Sequence, residues 1–547
     1  MPATHRHRET QMMRMLVLGT LTLCLCTPSG DAQTAWKGET LVSPLGNNNT
    51  FLVDMNGKTV KTWSCSARPG LIAYLFDDGS ILRPCRDSGG SFSGGGAGGR
   101  LQRYDANGKL TWDYYFSTSS HQQHHDVQPM PNGNILLIAW ERKSNQEAVA
   151  AGRQSITGEM WPTLIAEIKP VGATGGTVVW EWHAWDHLIQ DVDSRKPNYG
   201  VVADHPELID INFGKVSRGD WIHANAIDYN EKLDQIVFSS HFLHEFYVID
   251  HSTTTKEAAG HTGGRSGKGG DILYRWGNPQ AYGRGTSADQ KFFVVHGANW
   301  IDGGLPGEGN ILAFDNGDRP GRNNDYSTVV EVVPPVDTKG HYFIAPTKPF
   351  GPATPVWSYS DRSSFYSNHL SGAYRLPNGN TIICEGTSGY LFEVTAAGKK
   401  VWDYDYQGSI ARAERYWTSP LAADTRTVPA STGGSVGFTV KAGSSHAKRG
   451  YLLVGGITGT SPGLLLPGGK VTLPINPDVF TSLVLAALNT PLFANFLGVL
   501  DAGGKGAAKA NLPALDSAFV GMKMDFAYCL FGPFDYVSNA VRVEVVR

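Results

Sequence analysis

Short apolar runs alternate with turn-forming residues along most of the chain, a pattern that predicts strands and hairpins rather than helices. The stretch 124–138 shows this pattern well, because a Pro-Asn-Gly-Asn turn at 131–134 leads into four apolar residues. The same turn returns at 377–380, again before a strand. Asn and Gly tolerate positive φ, which makes this turn a strong hairpin signal. A histidine precedes both hairpins, at His125 and His369, so we predict one structural unit that is used repeatedly.

Several of the predicted strands end in tryptophan, which indicates repeated sheets that pack face to face. These residues are Trp63, Trp112, Trp180, Trp357 and Trp402. Repeat units begin near residues 71, 125, 222, 295 and 369, and a partial unit at 40–63 can close a ring with the segment after residue 406. We therefore predict an all-β fold with a six-bladed β-propeller at 33–424, with five or seven blades left open.

Beyond the predicted propeller the composition shifts to Thr, Ser, Pro and Gly at 425–435, which predicts a linker. Residues 436–547 predict a small C-terminal β-sandwich with a structural or adhesive role. The apolar stretch 480–500 is interrupted by two asparagines and a proline, so we expect no integral membrane segment there.

The first 32 residues have the pattern of a cleaved signal peptide, with basic residues before a short apolar core. The mature protein is therefore expected to be periplasmic or secreted, and lipidation at Cys24 or Cys26 stays open. In an oxidising compartment Cys65 and Cys85 are close enough in sequence to form a disulfide. Cys384 and Cys529 lie in apolar strands and are expected to be buried thiols.

Charge and composition limit the classes of partner that the chain is expected to bind. The chain of 547 residues has a net charge of −3 and no basic run, so no nucleic-acid partner is expected. Its 65 glycines and 30 prolines fit a turn-rich β protein. The Gly-rich stretch 88–100 lacks the lysine and the following helix of a phosphate loop, and it is predicted to be a flexible inter-strand loop.

Candidate chemistry lies mainly with histidines at the starts of predicted inner strands, which would converge at one end of a propeller channel. They are His124, His125, His223, His296 and His369. Two other pairs, His183 with His187 and His241 with His244, have helix-like ligand spacing but lie in strand or loop context without a zinc-binding frame. No metal and no other cofactor is therefore expected.

Three motifs resemble the bacterial arylsulfate sulfotransferases. They are His-His-Asp with Pro-Asn-Gly-Asn at 124–134, Trp-Ile-His-Ala-Asn-Ala-Ile-Asp-Tyr at 221–229, and His296 with Gly-Asn-Ile-Leu-Ala-Phe-Asp-Asn-Gly-Asp at 309–318. The resemblance covers roughly residues 40–420. It implies a six-bladed propeller, an exported enzyme, and transfer of a sulfuryl group from an aryl sulfate to a phenol without a nucleotide sulfate donor.

The resemblance also implies roles for the residues. A neutral imidazole can attack sulfur to give a sulfohistidine, and the resemblance places this nucleophile in the last full blade, at His369, with His125 as the fallback. Other histidines and an arginine, either Arg319 or Arg322, would neutralise charge on the sulfuryl oxygens. The predicted catalytic residues are His369, His223, His296 and Arg319, and the predicted substrate-binding residues are His125, Asn225, Asn299 and Arg322.

Two other functions stay open. One is a non-catalytic extracytoplasmic propeller that binds ligands or partners, with the C-terminal sandwich as an attachment module. The other is a metal-dependent or quinone-dependent propeller enzyme. The physiological donor and acceptor, and the formation of a homodimer, are not determined by the sequence.

Overall fold

The fold is nearly all β. The computed structural model describes residues 35–547 except 37, 77–78, 217–218, 304, 322–324, 417–419, 443–445, 470 and 502–503. Residues 36–547 form one compact unit. The predicted signal peptide at 1–32 and Arg322 lie outside the described residues.

Six four-stranded antiparallel sheets follow one another along the chain between residues 39 and 416. The sheets are numbered in chain order. In each of sheets 2 to 6 the four strands pair in the order in which they follow one another along the chain, whereas sheet 1 joins three N-terminal strands to Glu414–Tyr416. The other strands of sheet 1 are Glu39–Val42, Thr50–Val53 and Thr59–Trp63. Sheet 2 contains Tyr74–Leu75, Ile81–Arg86, Gly99–Tyr104 and Leu110–Tyr115, and sheet 3 contains His121–Pro129, Ile135–Glu141, Thr163–Val171 and Gly175–His183. Sheet 4 contains Ala224–Asn230, Gln235–Ser240, Glu245–Asp250 and Tyr274–Trp276, sheet 5 contains Val295–Trp300, Ile311–Asp315, Thr328–Val332 and Trp357–Tyr359, and sheet 6 contains Gly372–Arg375, Thr381–Glu385, Tyr390–Val394 and Lys400–Asp405.

Helical segments are short and lie between strands. Among the described residues the α-helices are Asn145–Ala150, Thr255–Ala258 and Val479–Ala486, and the 3₁₀ turns are Ala184–His187, Val202–Asp204, Pro279–Tyr282 and Ser517–Phe519. A two-stranded parallel pair, Leu188–Ile189 with Ile209–Asp210, lies in the insertion between sheets 3 and 4. None of the described helices is long and apolar enough to span a membrane.

The repeated Pro-Asn-Gly-Asn turns confirm the hairpin prediction and show why asparagine is needed twice. The first asparagine closes the turn, since Asn132 Oδ1 accepts the N–H of Asn134 at 2.9 Å. The second reaches the third strand, where the Asn134 amide donates to Glu167 Oε1 at 2.5 Å. In sheet 6 the Asn380 amide donates to Glu393 Oε1 at 2.6 Å in the same way.

The five tryptophans found in the sequence, together with Trp276, connect each sheet to the next. Trp63 on the outer strand of sheet 1 donates its indole N–H to Asp105 O of sheet 2 at 3.0 Å. Trp402 of sheet 6 donates to Met55 O of sheet 1 at 2.8 Å, so the series of contacts returns to its start. The intervening bonds run from Trp112 to Gly175 O (2.8 Å), Trp180 to Thr253 Oγ1 (3.1 Å), Trp276 to Pro352 O (2.8 Å) and Trp357 to Ala396 O (2.8 Å).

The inner strands are linked in the same order by buried polar side chains. Asp126 Oδ2 of sheet 3 accepts the N–H of Ile227 in sheet 4 at 3.0 Å, and Asp228 Oδ2 of sheet 4 accepts the N–H of Trp300 in sheet 5 at 2.7 Å. The amide of Asn225 donates to Val295 O at 2.7 Å. These bonds fix the inner strands relative to one another at the level where the predicted site residues lie.

The C-terminal part forms two larger sheets and a two-stranded pair. One sheet contains Leu421–Ala423, Gly434–Lys441, Lys505–Leu512 and Phe493–Ala494. The other contains Thr427–Pro429, Val541–Val546, Lys523–Phe531, Gly450–Gly456, Leu497–Val499 and Tyr536–Val537, and the pair is Leu464–Leu465 with Thr472–Leu473. One hydrophobic core contains side chains from both sheets, among them Phe438 and Phe526, whose rings are 4.9 Å apart.

Two sequence-based expectations need correction. The segment 425–435 is not an unpaired linker throughout, because Thr427–Pro429 pairs with the last strand; the division into domains itself remains a prediction. Cys65 and Cys85 are buried free thiols rather than a disulfide, and the Cys85 thiol lies 3.3 Å from Gln102 Oε1. Burial raises the pKa of Cys85 to about 12. Cys384 and Cys529 are buried free thiols, as predicted.

Candidate active site: a cluster of imidazoles

Irregular backbone on three inner strands orients the histidines. His223 and His296 lie at strand starts as predicted, whereas His125 lies within the strand His121–Pro129. His125 and His223 have φ of 52° and 51°, a left-handed conformation that strand residues rarely adopt. The strand register shifts between Gln123 and Val127, between Ala224 and Ala226, and between His296 and Asn299. Such bulges re-aim side chains and are common beside active sites. The motifs found in the sequence therefore encode local departures from a regular strand.

The imidazole cluster consists of five histidines in contact, namely His124, His125, His223, His241 and His296. The ring centroids are 4.6 Å apart for His125 and His223, 4.9 Å for His223 and His241, and 5.4 Å for His241 and His296. At the inner end, His124 Nδ1 and His125 Nδ1 are 2.8 Å apart. The structure thus brings together four of the five candidate histidines, His124, His125, His223 and His296, which come from sheets 3, 4 and 5.

Oxygen acceptors fix the tautomers of two of these histidines. His223 Nδ1 is 2.5 Å from Asp220 Oδ2, so the nitrogen must carry the proton that it donates to the carboxylate. His296 Nδ1 is 2.6 Å from Asn316 Oδ1. The amide nitrogen of Asn316 donates to Ser367 O and Leu370 O, which leaves Oδ1 to accept from His296. Nε2 of each ring is left to act on a substrate.

His369 lies at the exposed side of the cluster. Its side chain is exposed and its Nδ1 lies 2.6 Å from Asn368 Oδ1, an acceptor that requires a proton on Nδ1. A positive charge on His369 would lie close enough to His241 and His296 to lower the pKa of both rings. Of the predicted histidines, His369 is the one that solvent, and hence a substrate, reaches directly.

Burial disfavours the charged form of four histidines of the cluster. Desolvation is the main cause that lowers the pKa of His124, His125 and His241 well below the usual range, and repulsion from neighbouring imidazoles adds to it. The same effects lower the pKa of His296 to about 3. Burial also lowers the pKa of His369. Neutral imidazoles are the form needed for nucleophilic attack and for general-base catalysis.

A stability measurement checks this neutral state. Below pH of about 6.5 the unfolded chain protonates His296 whereas the folded protein does not, so the folded protein loses stability as pH falls. Between pH 7 and pH 5 we expect the free energy of unfolding of wild type to fall by up to about 2 kcal/mol more than that of His296→Gln. The slope of this difference is about 1.4 kcal/mol per pH unit below pH 6.5. Urea unfolding at both pH values measures this difference. Equal pH dependence of the two proteins would contradict it, and His341→Gln, at an exposed position, is the control.

The Gly-rich stretch packs on the cluster, so its prediction as a simple flexible loop missed this contact. It does connect two strands of sheet 2, as predicted, but Gly96 O accepts the N–H of His125 at 2.8 Å and the Gly98 N–H donates to Gln123 O at 3.1 Å. Gly96 has a φ of +76°, and a Cβ there would overlap the His125 ring. Glycine is required because the backbone lies directly against the imidazole.

The arginine at the cluster is not one of those predicted. Arg319 Nη2 bonds Asp315 Oδ2 at 2.5 Å, and its Nη1 donates to Tyr326 O at 2.5 Å, so most of its donors bind neighbours within its own loop. Arg412 instead lines the same narrow crevice as His125, Asp126 and His296, and it donates to Asp126 Oδ2 at 2.5 Å. Arg322 lies outside the described residues.

The two predicted asparagines go to different places. Asn225 lines the crevice with His125 and His296. Asn299 lines a neighbouring cavity of about 230 Å³, which shares Arg412 with the crevice and whose walls also include Asp228, Asp302 and Glu414. Its amide donates to Gly297 O and Ala373 O at 2.8 and 2.9 Å, so it links sheets 5 and 6. The structure does not bring Asn299 together with the imidazole cluster.

Three residues at the site were missed by the sequence reasoning: Asp220, His241 and Arg412. His241 had been noticed only as half of a weak metal pair, yet it lies between His223 and His296. Its Nδ1 is buried and has no hydrogen-bond partner among the described residues, so it is available to a substrate group. Asp220 is also held by Trp140, whose indole N–H donates to Oδ1 at 3.0 Å.

Comparison with known proteins identifies the family. The family model described as arylsulfotransferase (ASST) matches residues 46–426, which is most of the chain and contains the whole imidazole cluster. The chain belongs to the arylsulfotransferase family. This membership supports aryl sulfotransferase activity in general terms, with aryl sulfates and phenols as the substrate classes. No curated protein matches the sequence.

Solved structures give only distant likenesses. A protein of unknown function from Bacteroides caccae is 12% identical with a TM-score of 0.39, and the alignment covers 69% of this chain and 98% of that one. A virginiamycin B lyase from Staphylococcus aureus is 11% identical with a TM-score of 0.31, covering 74% and 92%. A periplasmic gluconolactonase from Pseudomonas aeruginosa is 9% identical with a TM-score of 0.32, covering 69% and 98%. At these scores the likenesses carry no conclusion about this protein.

Proposed function

We propose that this protein transfers a sulfuryl group from an aryl sulfate to a phenol through a sulfohistidine on His369, without a nucleotide sulfate donor. The observation that carries the proposal is the contact of three histidine Nδ1 atoms with oxygen acceptors. His223, His296 and His369 each direct Nδ1 to an oxygen acceptor, which leaves three Nε2 atoms for chemistry. Membership of the arylsulfotransferase family supplies the reaction class.

His369 is the nucleophile in this proposal because it combines access with a neutral ring. Its side chain is exposed, whereas only 5% of His296 is accessible. Partial desolvation of the ring lowers the pKa of His369 even though its side chain is largely exposed, so Nε2 carries a lone pair at neutral pH. In the first half-reaction Nε2 attacks sulfur, the N–S bond forms, and the S–O bond to the aryl group breaks with its electron pair going to the phenolate oxygen.

His223 moves the proton in this proposal. Paired with the Asp220 carboxylate, it can carry a proton on Nε2 and donate it to the leaving phenolate. In the second half-reaction neutral His223 takes the proton of the acceptor phenol, whose oxygen attacks sulfur as the N–S bond breaks. His369 and the proton on His223 are then both restored, so two transfers complete one cycle.

In this proposal the surrounding groups contact the sulfuryl group or form the wall of the pocket. His241 offers its buried, unpartnered Nδ1 to a substrate atom. Arg412 contributes positive charge in the crevice, although Asp126 balances part of it. Arg322 remains a predicted contact to the sulfuryl group, while Arg319 positions its loop through Asp315. His125 and Asn225 form the inner wall.

We further propose that the six sheets are the blades of one propeller and that the two C-terminal sheets form a sandwich. The tryptophan bonds that run from sheet 1 through sheet 6 and back to sheet 1 support closure of a ring. Export through the signal-peptide pattern at 1–32 belongs to the same proposal. The assignment of Cys65 and Cys85 as free thiols does not depend on the proposal of export.

A donor and acceptor assay tests the proposed function. Purified protein is mixed with 4-nitrophenyl sulfate, with and without an excess of a second phenol. We expect sustained nitrophenolate release only with the acceptor, a single small burst without it, and parallel double-reciprocal plots. Absence of release under both conditions would contradict the proposal and favour a non-catalytic binding protein.

A further inference from the structure

We propose a binding site for one divalent transition-metal ion, of the zinc or cobalt type, formed by His187, His261 and Asp271. This site lies apart from the imidazole cluster and does not rest on the proposed function. The proposed site departs from the sequence-based expectation of no metal. It uses only His187 of the pair His183 and His187 that the sequence offers. The ligand atoms of the three residues all lie within 4.8 Å of one another.

The geometry centres on one carboxylate oxygen. His187 Nδ1 is 2.9 Å and His261 Nδ1 is 2.7 Å from the same oxygen, Asp271 Oδ1. The two imidazole planes are nearly perpendicular, at 86°, with centroids 5.8 Å apart. Two imidazole nitrogens and one carboxylate oxygen form a common donor set for zinc and related ions, with solvent or a ligand in the fourth position.

The hydrogen bonds of His187 leave one ring nitrogen facing the Asp271 carboxylate. His187 Nε2 is 2.8 Å from the carbonyl oxygen of Ala258, which only accepts, so Nε2 carries a hydrogen. Nδ1 is then the ring nitrogen that faces Asp271 Oδ1, at 2.9 Å. A metal ion bound between these two atoms would accept the lone pair of Nδ1. A metal-bound histidine typically donates its other N–H to a backbone carbonyl, as His187 does here.

The surroundings hold the His187 ring in place. Trp182 stacks on it with an angle of 6° between the planes, and the Trp182 indole N–H donates to Gly270 O at 2.7 Å. Gly270 leaves no room for a side chain, since a Cβ would lie 2.7 Å from His187 Nε2. His187 is fully buried, and Asp271 is 6% accessible. Two of the three proposed ligands are therefore preorganised.

The third ligand gives the site access to solvent. The His261 side chain is 60% exposed and lines a cavity of about 410 Å³ together with Trp185 and Tyr199. An ion held here would link the loop after the helix Thr255–Ala258 to the 3₁₀ turn Ala184–His187, which belong to different insertions. It would also retain one coordination position for water or for a ligand.

Cobalt titration of the full-length protein tests this site. The protein is freed of metal with a chelator, transferred to chelator-free buffer, and titrated with Co²⁺ while visible d–d absorption is recorded. We expect one equivalent to bind in a low-symmetry, nitrogen- and oxygen-ligated environment, with displacement by Zn²⁺. Zn²⁺ should also raise the thermal midpoint of the apo protein, since an ion that binds the folded state stabilises it.

Variants assign the ion to this site. His261→Ala and Asp271→Asn should each weaken binding at least about tenfold, and His261→Ala is expected to fold because its side chain is largely exposed. His205→Ala is the matched control, since His205 lines the same cavity and pairs with Glu207. Absence of binding would overturn the proposal. So would an equivalent that survives His261→Ala but is lost in His241→Ala, since that ion would lie in the imidazole cluster.

Discussion

His369→Gln should reduce turnover of an aryl sulfate by about 10³-fold or more, because it removes the nitrogen that we propose as the nucleophile. Glutamine preserves much of the size and polarity of the side chain but has no lone pair of comparable nucleophilicity. The position is exposed, so the change should leave the fold intact. Steady-state nitrophenolate release with a saturating phenol acceptor measures the effect.

The matched control is His341→Gln, which also replaces an exposed histidine that contacts a neighbouring side chain, Asp337, at 3.3 Å. We expect it to keep wild-type turnover. If His369→Gln were as active as His341→Gln, the nucleophile would lie elsewhere. The fallback, His125, would then be tested with His125→Gln, although its ring is 4% accessible and packs under Gly96.

Asp220→Asn should cost between about 10² and 10⁴ in turnover, through its effect on the proton of His223. Trp140 donates to Asp220 Oδ1, so an asparagine is expected to keep its oxygen there and turn its NH₂ toward His223 Nδ1. His223 would then carry its proton on Nε2 and could not accept one from the phenol. A comparable carboxylate-to-amide change in serine hydrolases costs about 10⁴-fold.

A double-mutant comparison separates this effect from a loss of structure. In a His223→Gln background the change Asp220→Asn should have little further effect, because the proton that it controls is already gone. A pH–rate profile gives a second readout. The wild-type rate should vary with pH because the acceptor phenol gives its proton to His223, and both single variants should lose this pH dependence. Additive losses in the double variant would show that Asp220 acts independently of His223.

The repeating parts of the fold were predictable because each depends on local chemistry. The turns at 131–134 and 377–380 need asparagine and glycine for their backbone, and the structure uses them as hairpins. The tryptophans at strand ends were visible as a pattern, and each donates a hydrogen bond to the neighbouring sheet. Such signals lie within a few residues of one another and survive in a single sequence.

The site was predictable only where it repeated a motif. His223 and His296 were found because they lie at the start of an inner strand, the place that was also predicted for His125. Arg412 occupies an inner-strand start without a histidine, and its partner Asp126 is 286 residues away in the sequence. No local pattern connects the two, because the pairing depends on how the sheets come together.

Arg319 shows the opposite error. It was assigned to the channel because the resemblance implies an arginine there, but Asp315 lies four residues earlier and forms an ion pair with it. The ring of Tyr326 also stacks on its guanidinium at 3.9 Å. Both neighbours were visible in the sequence, so a local ion pair was the simpler interpretation for this arginine.

The most direct test of a sulfohistidine at the imidazole cluster is peptide mass spectrometry after a rapid quench. The protein is mixed with 4-nitrophenyl sulfate without acceptor and quenched under alkaline conditions, which preserve an N–S bond. We expect one added sulfuryl group on the peptide that contains His369, absent from His369→Gln and lost when a phenol is added before the quench. Nitrophenolate release with no adduct on any histidine of the cluster or on His369 would contradict the mechanism.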